Sequence, residues 1–427
     1  MSVLKLRLDN WLEGEELSGG AVVNLYPITP QGTSSPQRRS PFAIPAGSGN
    51  NFYTLEAAPG RYLIEAQLPS GDVVNQEVTL DDSSAPLEVR LKSDRSPHEW
   101  LSWQQFSGKV AERGRYNREE ASPSSSVPCL SSGTFASPFT DPLNQAWQWE
   151  ALAGAVRNRE THFPWLVQKP PLTARNYDGR VQSYVLTATM LGLPWQPPPR
   201  GTPALEKGRA LLVMRFDPEV ELISLPLPWI TLDQSREGLL DIAVRSVLDN
   251  PQSPRTTLTV RDPSIGSALS YMTAGSLDRA CLLFDSAREM LFDKQMNPLA
   301  AAAGAYVLVS TQQGADRQNW HAWVKNLMDW YPWLPDGAIQ YGRMKIRDED
   351  SDSDIDEARD VLFKAYARGL PYFSAGIRWL LNGLTIFADD GDEEARAYAA
   401  NVHKVALRAD MSQPFTVIRL GPRAPVR

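Results

Sequence analysis

The period of the hydrophobic pattern changes once along this 427-residue chain, near Asp262, and that change constrains the fold more than any single motif. Before it, apolar residues come in short alternating runs. Leu4, Leu6 and Leu8 share one face, and comparable runs follow at 21–26, 51–55, 62–67, 73–80 and 87–91. Successive side chains of a strand point to opposite faces, so alternation predicts strands buried on one side. Pro59-Gly60 and Ser70-Gly71-Asp72 supply the tight turns between them. After the change, Leu277, Ala280/Cys281, Phe284 and Ala287/Met290 recur every three or four residues, the period of one helix face. A multidomain α+β protein follows: an N-terminal antiparallel β-sandwich, a second strand-rich domain and a C-terminal irregular array of α-hairpins.

At roughly 150 residues per domain the length calls for two or three domains. The sandwich is assigned to 1–92 and the helical part to 262–427. Between them, 93–140 holds a strap containing Trp100, Trp103 and Phe106, then a Ser/Pro/Arg-rich stretch with Lys109, Arg113, Arg115, Arg118 and Ser122-Pro-Ser-Ser-Ser. Few apolar groups there offset the entropy of ordering, so a flexible linker is expected. Residues 141–261 read as strand-rich, with strands at 181–190, 209–216, 219–225 and 255–261. Leu240, Val244 and Val247 suggest a helix over 237–248.

In the helical part, Asn297-Pro298 is a cap followed by a first-turn proline. Trp320, Trp323, Leu327 and Trp330 form a stripe that stops before Pro332. Asp354 and Glu357 have the spacing of a capping box. Gly369 and Pro371 end that helix, and helices at 377–387 and 393–407 follow. Ala268, Tyr271, Gly275, Ala280, Phe284 and Ala287 alternate small and large residues as helix pairs do, and this unit resembles a tetratricopeptide-type hairpin. Ala358, Leu362, Ala365 and Pro371 repeat its last part. They do not fall at a multiple of the roughly 34-residue repeat, so the array is irregular.

Two further resemblances follow from specific strings. Ala58-Pro-Gly-Arg-Tyr-Leu-Ile-Glu-Ala-Gln67 with 73–80 resembles the carboxypeptidase regulatory-like, prealbumin-like domain, which implies an accessory sandwich without catalytic residues. Asn297-Pro-Leu-Ala-Ala-Ala-Ala-Gly-Ala-Tyr306, Trp323-Val-Lys-Asn-Leu-Met-Asp-Trp-Tyr-Pro-Trp-Leu-Pro-Asp-Gly337 and Ala367-Arg-Gly-Leu-Pro371 are similar to the C-terminal part of little-characterised bacterial proteins. Those proteins occur with caspase-like or CHAT-type peptidases. This resemblance implies a partner, substrate or regulator of such a peptidase.

Composition narrows the function classes. The formal charge of −7 and the lack of a Lys/Arg run speak against nucleic-acid binding. The longest apolar run, 299–309, is half the length of a membrane span and reads as a buried helix. The N-terminus lacks the apolar block of a signal peptide, and two cysteines, Cys129 and Cys281, make no disulfide framework. A cytoplasmic location is expected. Thirteen Trp and thirty-four Pro, often adjacent, suit pinned loops, with an aromatic ligand groove as the other reading.

No catalytic motif stands out. Cys281 sits in an apolar stripe, and no spacing pairs Cys129 with His98 or His162. Four dispersed histidines make no metal site. The run Asp348-Glu-Asp-Ser-Asp-Ser-Asp354 fails the EF-hand pattern at Ile355 and Val361 and reads as a solvated loop leading into a helix. No cofactor and no metal are expected. The function expected is non-enzymatic protein interaction or regulation. Trp320, Trp323, Trp330 and Trp333 are the candidate partner surface, and Lys109, Arg113, Arg115 and Arg118 the candidate cleavage linker. The alternatives are an enzyme of unrecognised type with a site between the middle and helical domains, and a surface carbohydrate-binding or adhesion protein.

Overall fold

The computed structural model describes residues 2–8, 16–28, 41–47, 52–67, 73–82, 85–91, 129–134, 174–177, 181–189, 210–216, 219–230, 240–245, 256–260, 265, 269, 272, 287–311, 317–347, 352–411 and 413–419. Two compact units emerge, one of Met1–Asn117 with Thr259–Asp285, the other of Arg118–Leu258 with Ser286–Arg427.

In the first unit, β1 (Ser2–Leu8), β2 (Glu16–Ile28), β3 (Phe42–Gly47), β4 (Tyr53–Ala57), β5 (Gly60–Gln67), β6 (Val73–Leu80) and β7 (Leu87–Leu91) pair around one core. β1 runs antiparallel to β4 and parallel to β7, while β2, β3, β5 and β6 form antiparallel pairs. The β-structure is therefore mixed rather than purely antiparallel. Leu4, Leu6 and Leu8 are fully buried, as their alternation requires, and share the core with Val23, Leu25, Ile64 and Leu91. β6 is mostly exposed along its length, as suits a last strand that pairs only with β5. β3 was not legible in the sequence because it carries Pro45, which cannot donate to a ladder. The fold tolerates it opposite Gly20, where the register of β2 shifts. At the Pro59-Gly60 turn, the Tyr62 hydroxyl donates back to the Ala58 carbonyl at 2.9 Å.

The second unit contains two four-stranded sheets. The first, in the order β14-β13-β10-β9, uses β9 (Ala174–Tyr177), β10 (Val181–Leu186), β13 (Leu240–Arg245) and β14 (Thr256–Val260). The helix expected at 237–248 is β13 instead. Leu240, Ile242 and Val244 are all buried at period two, with Leu240 opposite Leu186 and Ile242 opposite Tyr184. Leu240, Val244 and Val247 fit a three/four spacing as well, and pairing with β10 decides between the two.

The second sheet, β15-β12-β11-β8, uses β8 (Cys129–Thr134), β11 (Ala210–Phe216), β12 (Glu219–Leu225) and β15 (Val417–Arg419). β8 lies in a stretch expected to be linker and pairs along its length with β11. β15 returns from beyond the helices to place Val417 opposite Ile223 and Ile418 opposite Leu222. The strand-rich and helical stretches thus share a sheet.

The described residues of the helical part form α1 (Ala287–Phe292), α2 (Pro298–Thr311), α3 (Arg317–Trp330), α4 (Pro335–Arg347), α5 (Asp352–Arg368), α6 (Ser374–Asp389) and α7 (Glu393–Ala406). Asn297 caps α2 as expected, its Oδ1 accepting from Ala300 N at 2.9 Å, while its Nδ2 donates to the Ile230 carbonyl at 2.6 Å. The apolar run 299–309 is almost wholly buried in α2, which is why it lacks an amphipathic pattern. α5 starts at Asp352, so Asp354 and Glu357 lie inside the helix and form no capping box. Both instead pair with Lys345 of α4, at 2.6 and 2.8 Å. Ala358, Leu362 and Ala365 make the fully buried face of α5. Leu362 seats against Gly342 of α4 and Gly383 of α6, where a Cβ would come within 2.8 and 2.5 Å of its methyl groups. α5 ends at Gly369 with φ +92°, and Asp392 caps α7 through Glu394 N and Ala395 N. The helix-pair residues at 268–284 lie largely outside the described residues.

Asp336, in the first turn of α4, is fully buried. It accepts from the Tyr306 hydroxyl of α2 at 2.8 Å and from Tyr372 N and Phe373 N, before α6, at 2.8 and 3.2 Å. Gly376 must lack a side chain here, because a Cβ would stand 2.5 Å from the Tyr306 hydroxyl. The segment 371–374 then bonds to 414–416 through Ser374 N to Pro414 O, Thr416 N to Tyr372 O and Thr416 Oγ1 to Pro371 O. Ser224 N of β12 donates to Thr416 O at 2.9 Å. Asp336→Ala leaves three buried donors without this acceptor, and a loss of about 3 to 5 kcal/mol is expected in urea unfolding. Tyr62→Phe removes one local bond in the first unit and should cost about 1 kcal/mol in the same measurement.

Candidate functional site

A recess of about 500 Å³ opens beside the turn that links α1 to α2. Its lining comes from that turn and from one face of α3. Phe292, Asp293, Lys294, Gln295 and Met296 supply the first, and Trp323, Asn326 and Trp330 the second. The spacing three, then four, puts the α3 residues on one side of the helix. The turn is closed by Met296 N donating to Asp293 O at 2.9 Å.

Phe292 stands at the rim, 62 % exposed, edge-on to Trp323 with ring centroids 5.1 Å apart. Lys294 is only 3 % exposed. Its Nζ lies 5.1 Å from the Trp330 ring centroid and 6.0 Å from that of Trp323, within cation–π range of both. One N–H donates to Leu291 O at 3.2 Å, and the Lys294 carbonyl accepts from the Tyr331 hydroxyl at 2.9 Å. Among the described residues no carboxylate forms a salt bridge with this ammonium. Burial pushes the Lys294 amine down to about 8, against the opposing charge of Asp293. Burial likewise holds the Tyr331 hydroxyl above its ordinary range, so it stays a donor.

The four tryptophans proposed as a partner surface are divided by the fold. Trp323 and Trp330 are half-buried and line the recess. Trp320 and Trp333 point inward, at 1 % and 3 % exposure, and are corrected to core residues. Trp333 packs edge-on against Tyr331 and Tyr372, and Trp320 against His321. For Trp333 the physical reason is the Tyr-Pro-Trp-Leu-Pro turn, which ends α3 and sets this ring against Tyr372 instead of extending the α3 stripe. Phe292 and Lys294 were missed. A Lys in an interhelical turn has no periodic signature, and the only sequence clue is the apolar pair Phe292 and Met296 around it.

The candidate cleavage residues Lys109, Arg113, Arg115 and Arg118 lie outside the described residues, as do Cys281, His98 and His162. Cys129 is on β8, opposite Arg215 of β11. Among the described residues no group of three or more His, Cys, Asp or Glu side chains could hold a metal, and no helix is long and apolar enough to cross a membrane. The acidic residues Asp352 and Asp354 belong to α5.

Residues 267–418 match the family model of the Y4kD C-terminal domain. The match takes in α1 to α7 and reaches Ile418 of β15, so the returning strand belongs to the matched region. No curated protein and no solved structure matches the chain.

Lys294 makes the stability pH-dependent in a defined sense. Its amine titrates near 10.5 when unfolded and near 8 when folded, so the unfolded chain binds the proton more tightly. The cost of burying the charge is present in full below pH 8 and is relieved as pH rises towards 10.5. Lys294→Met should therefore melt at a higher temperature than the parent at pH 7, and the gap should close by pH 10.5 in thermal scans. An equal gap at both pH values would contradict this account.

Proposed function

We propose that this protein is a non-enzymatic interaction and regulatory protein, the cytoplasmic partner or substrate of a caspase-like or CHAT-type peptidase in a bacterial signalling or antiviral defence cassette. The observation that carries the interaction reading is the aromatic rim of the recess. An exposed Phe292 beside half-buried Trp323 and Trp330 is the residue chemistry of binding hot spots, where aromatic groups gain most from exclusion of water. It sits on helices that turn their other faces into a well-filled core, so the surface is presented rigidly. The N-terminal unit acts as a spacer, in keeping with its resemblance to a prealbumin-like accessory module.

The peptidase assignment is supported by the similarity of the 297–337 strings to proteins that occur with such enzymes. Lys109, Arg113, Arg115 and Arg118 would be the cleaved positions, being basic residues in a Ser/Pro-rich stretch that an Arg-specific peptidase can thread. Cleavage there would cut the direct covalent link between β7 and β8.

The test uses the full chain as bait in its source cell, with Phe292→Ala/Trp323→Ala as the control, and then incubation with any captured peptidase. A peptidase retained by the parent chain, lost at least tenfold by the double variant, and cutting after one of the four basic residues is the expected outcome. Capture of no peptidase, or cuts confined outside 107–130, would remove the peptidase reading. Equal capture by the double variant would remove the aromatic rim as the docking surface.

A further inference from the structure

We propose that the recess at Lys294 is a binding site for a carboxylate joined to a flat apolar group, with the Lys294 ammonium taking the carboxylate and the rings of Trp323, Trp330 and Phe292 taking the flat group. This site does not depend on a peptidase partner.

The argument starts from charge. A buried ammonium is costly unless paired, and among the described residues this one has a single hydrogen bond, to a carbonyl, with two ring faces beside it. Two further N–H groups remain for an acceptor. At neutral pH the amine holds its proton, because its titration point near 8 is still above 7. The recess therefore presents an ammonium that forms no salt bridge among the described residues, although the charge of Asp293 acts on it from the same lining.

The walls then select the class of anion. Asp293 lines the same recess, so an anion there meets repulsion in proportion to its charge, and a monoanion meets half that of a doubly charged phosphate. Asn326 supplies an amide able to donate to a second carboxylate oxygen. Apart from Gln295, the rest of the lining is apolar, made by Phe292, Met296, Trp323 and Trp330, and the rings of Phe292 and Trp323 meet at 65°. A volume of about 500 Å³ suits a small molecule or one terminal residue of a chain.

Two sources of that chemistry are separable by experiment: a free aromatic acid, and a peptide ending in an aromatic residue with its own carboxylate. The full chain is titrated calorimetrically with indole-3-acetate and indole-3-acetamide, and with acetyl-Ala-Ala-Ala-Trp as free acid and as C-terminal amide. At least one acid is expected to bind, with its amide at least tenfold weaker. Indole-3-acetate binding alone would identify free acids as the source, and peptide-acid binding would identify chain ends. Lys294→Met, which the burial cost predicts to fold at least as well, should lose the acid at least tenfold. Trp323→Leu, checked for folding by its melting curve, should weaken both acid and amide by removing the flat wall. Binding of acid and amide with equal strength, retention by Lys294→Met, or no heat from either acid would overturn the proposal.

Discussion

Asp336 joins three parts of the helical region that the chain keeps far apart. Its carboxyl group receives a hydroxyl from α2 and two backbone amides from the segment before α6, all inside a core that excludes water. Buried polar groups left without partners are expensive, so these bonds are strongly directional choices among possible packings. The Tyr306 hydroxyl is held well above its ordinary titration range, first by burial and then by Asp336, which keeps it a donor. Gly376 makes the approach possible, since any side chain there would displace that hydroxyl.

From this point the structure propagates by backbone bonding. The segment that Asp336 fixes, 371–374, pairs with 414–416, which in turn bonds Ser224 and delivers β15 to β12. Phe415 packs against both Phe373 and Trp229, so apolar contacts follow the same route. A helical array ending in its own cap would have been self-contained. Here the last strand ties the helices to a sheet built from residues that precede them, and the stretch matching the Y4kD C-terminal domain reaches this strand.

The recess at Lys294 stands in contrast to that economy. The Asp336 site satisfies its buried polar atoms with several bonds. The Lys294 site buries a charge with one hydrogen bond and two ring faces, which costs stability under neutral conditions. Groups kept at such a cost are candidates for function because packing alone would replace them with an apolar residue. The exposed Phe292 beside it fits the same reading, since a ring left in water gains only when something covers it.

Strong periodicity was legible in the sequence: Leu4, Leu6 and Leu8 in β1, the bounds of β6, β7 and β12, and the Asn297 cap of α2 all follow from local pattern and local hydrogen bonding. Other features were not, β8, β9 and β15 among them. β13 has apolar residues that satisfy both helix and strand spacing, β3 contains a proline, and Asp354 and Glu357 mimic a capping box while serving Lys345. Of the four tryptophans expected at a partner surface, Trp323 and Trp330 line the recess while Trp333 and Trp320, a member of the same stripe, are buried, and Lys294 carried no pattern at all. By itself the sequence determined the mixed α+β class and most element positions, because side-chain periodicity is a local property. Only the tertiary structure decided which tryptophans face water and that a lysine lies between two of them. Burial depends on neighbours brought together across the fold.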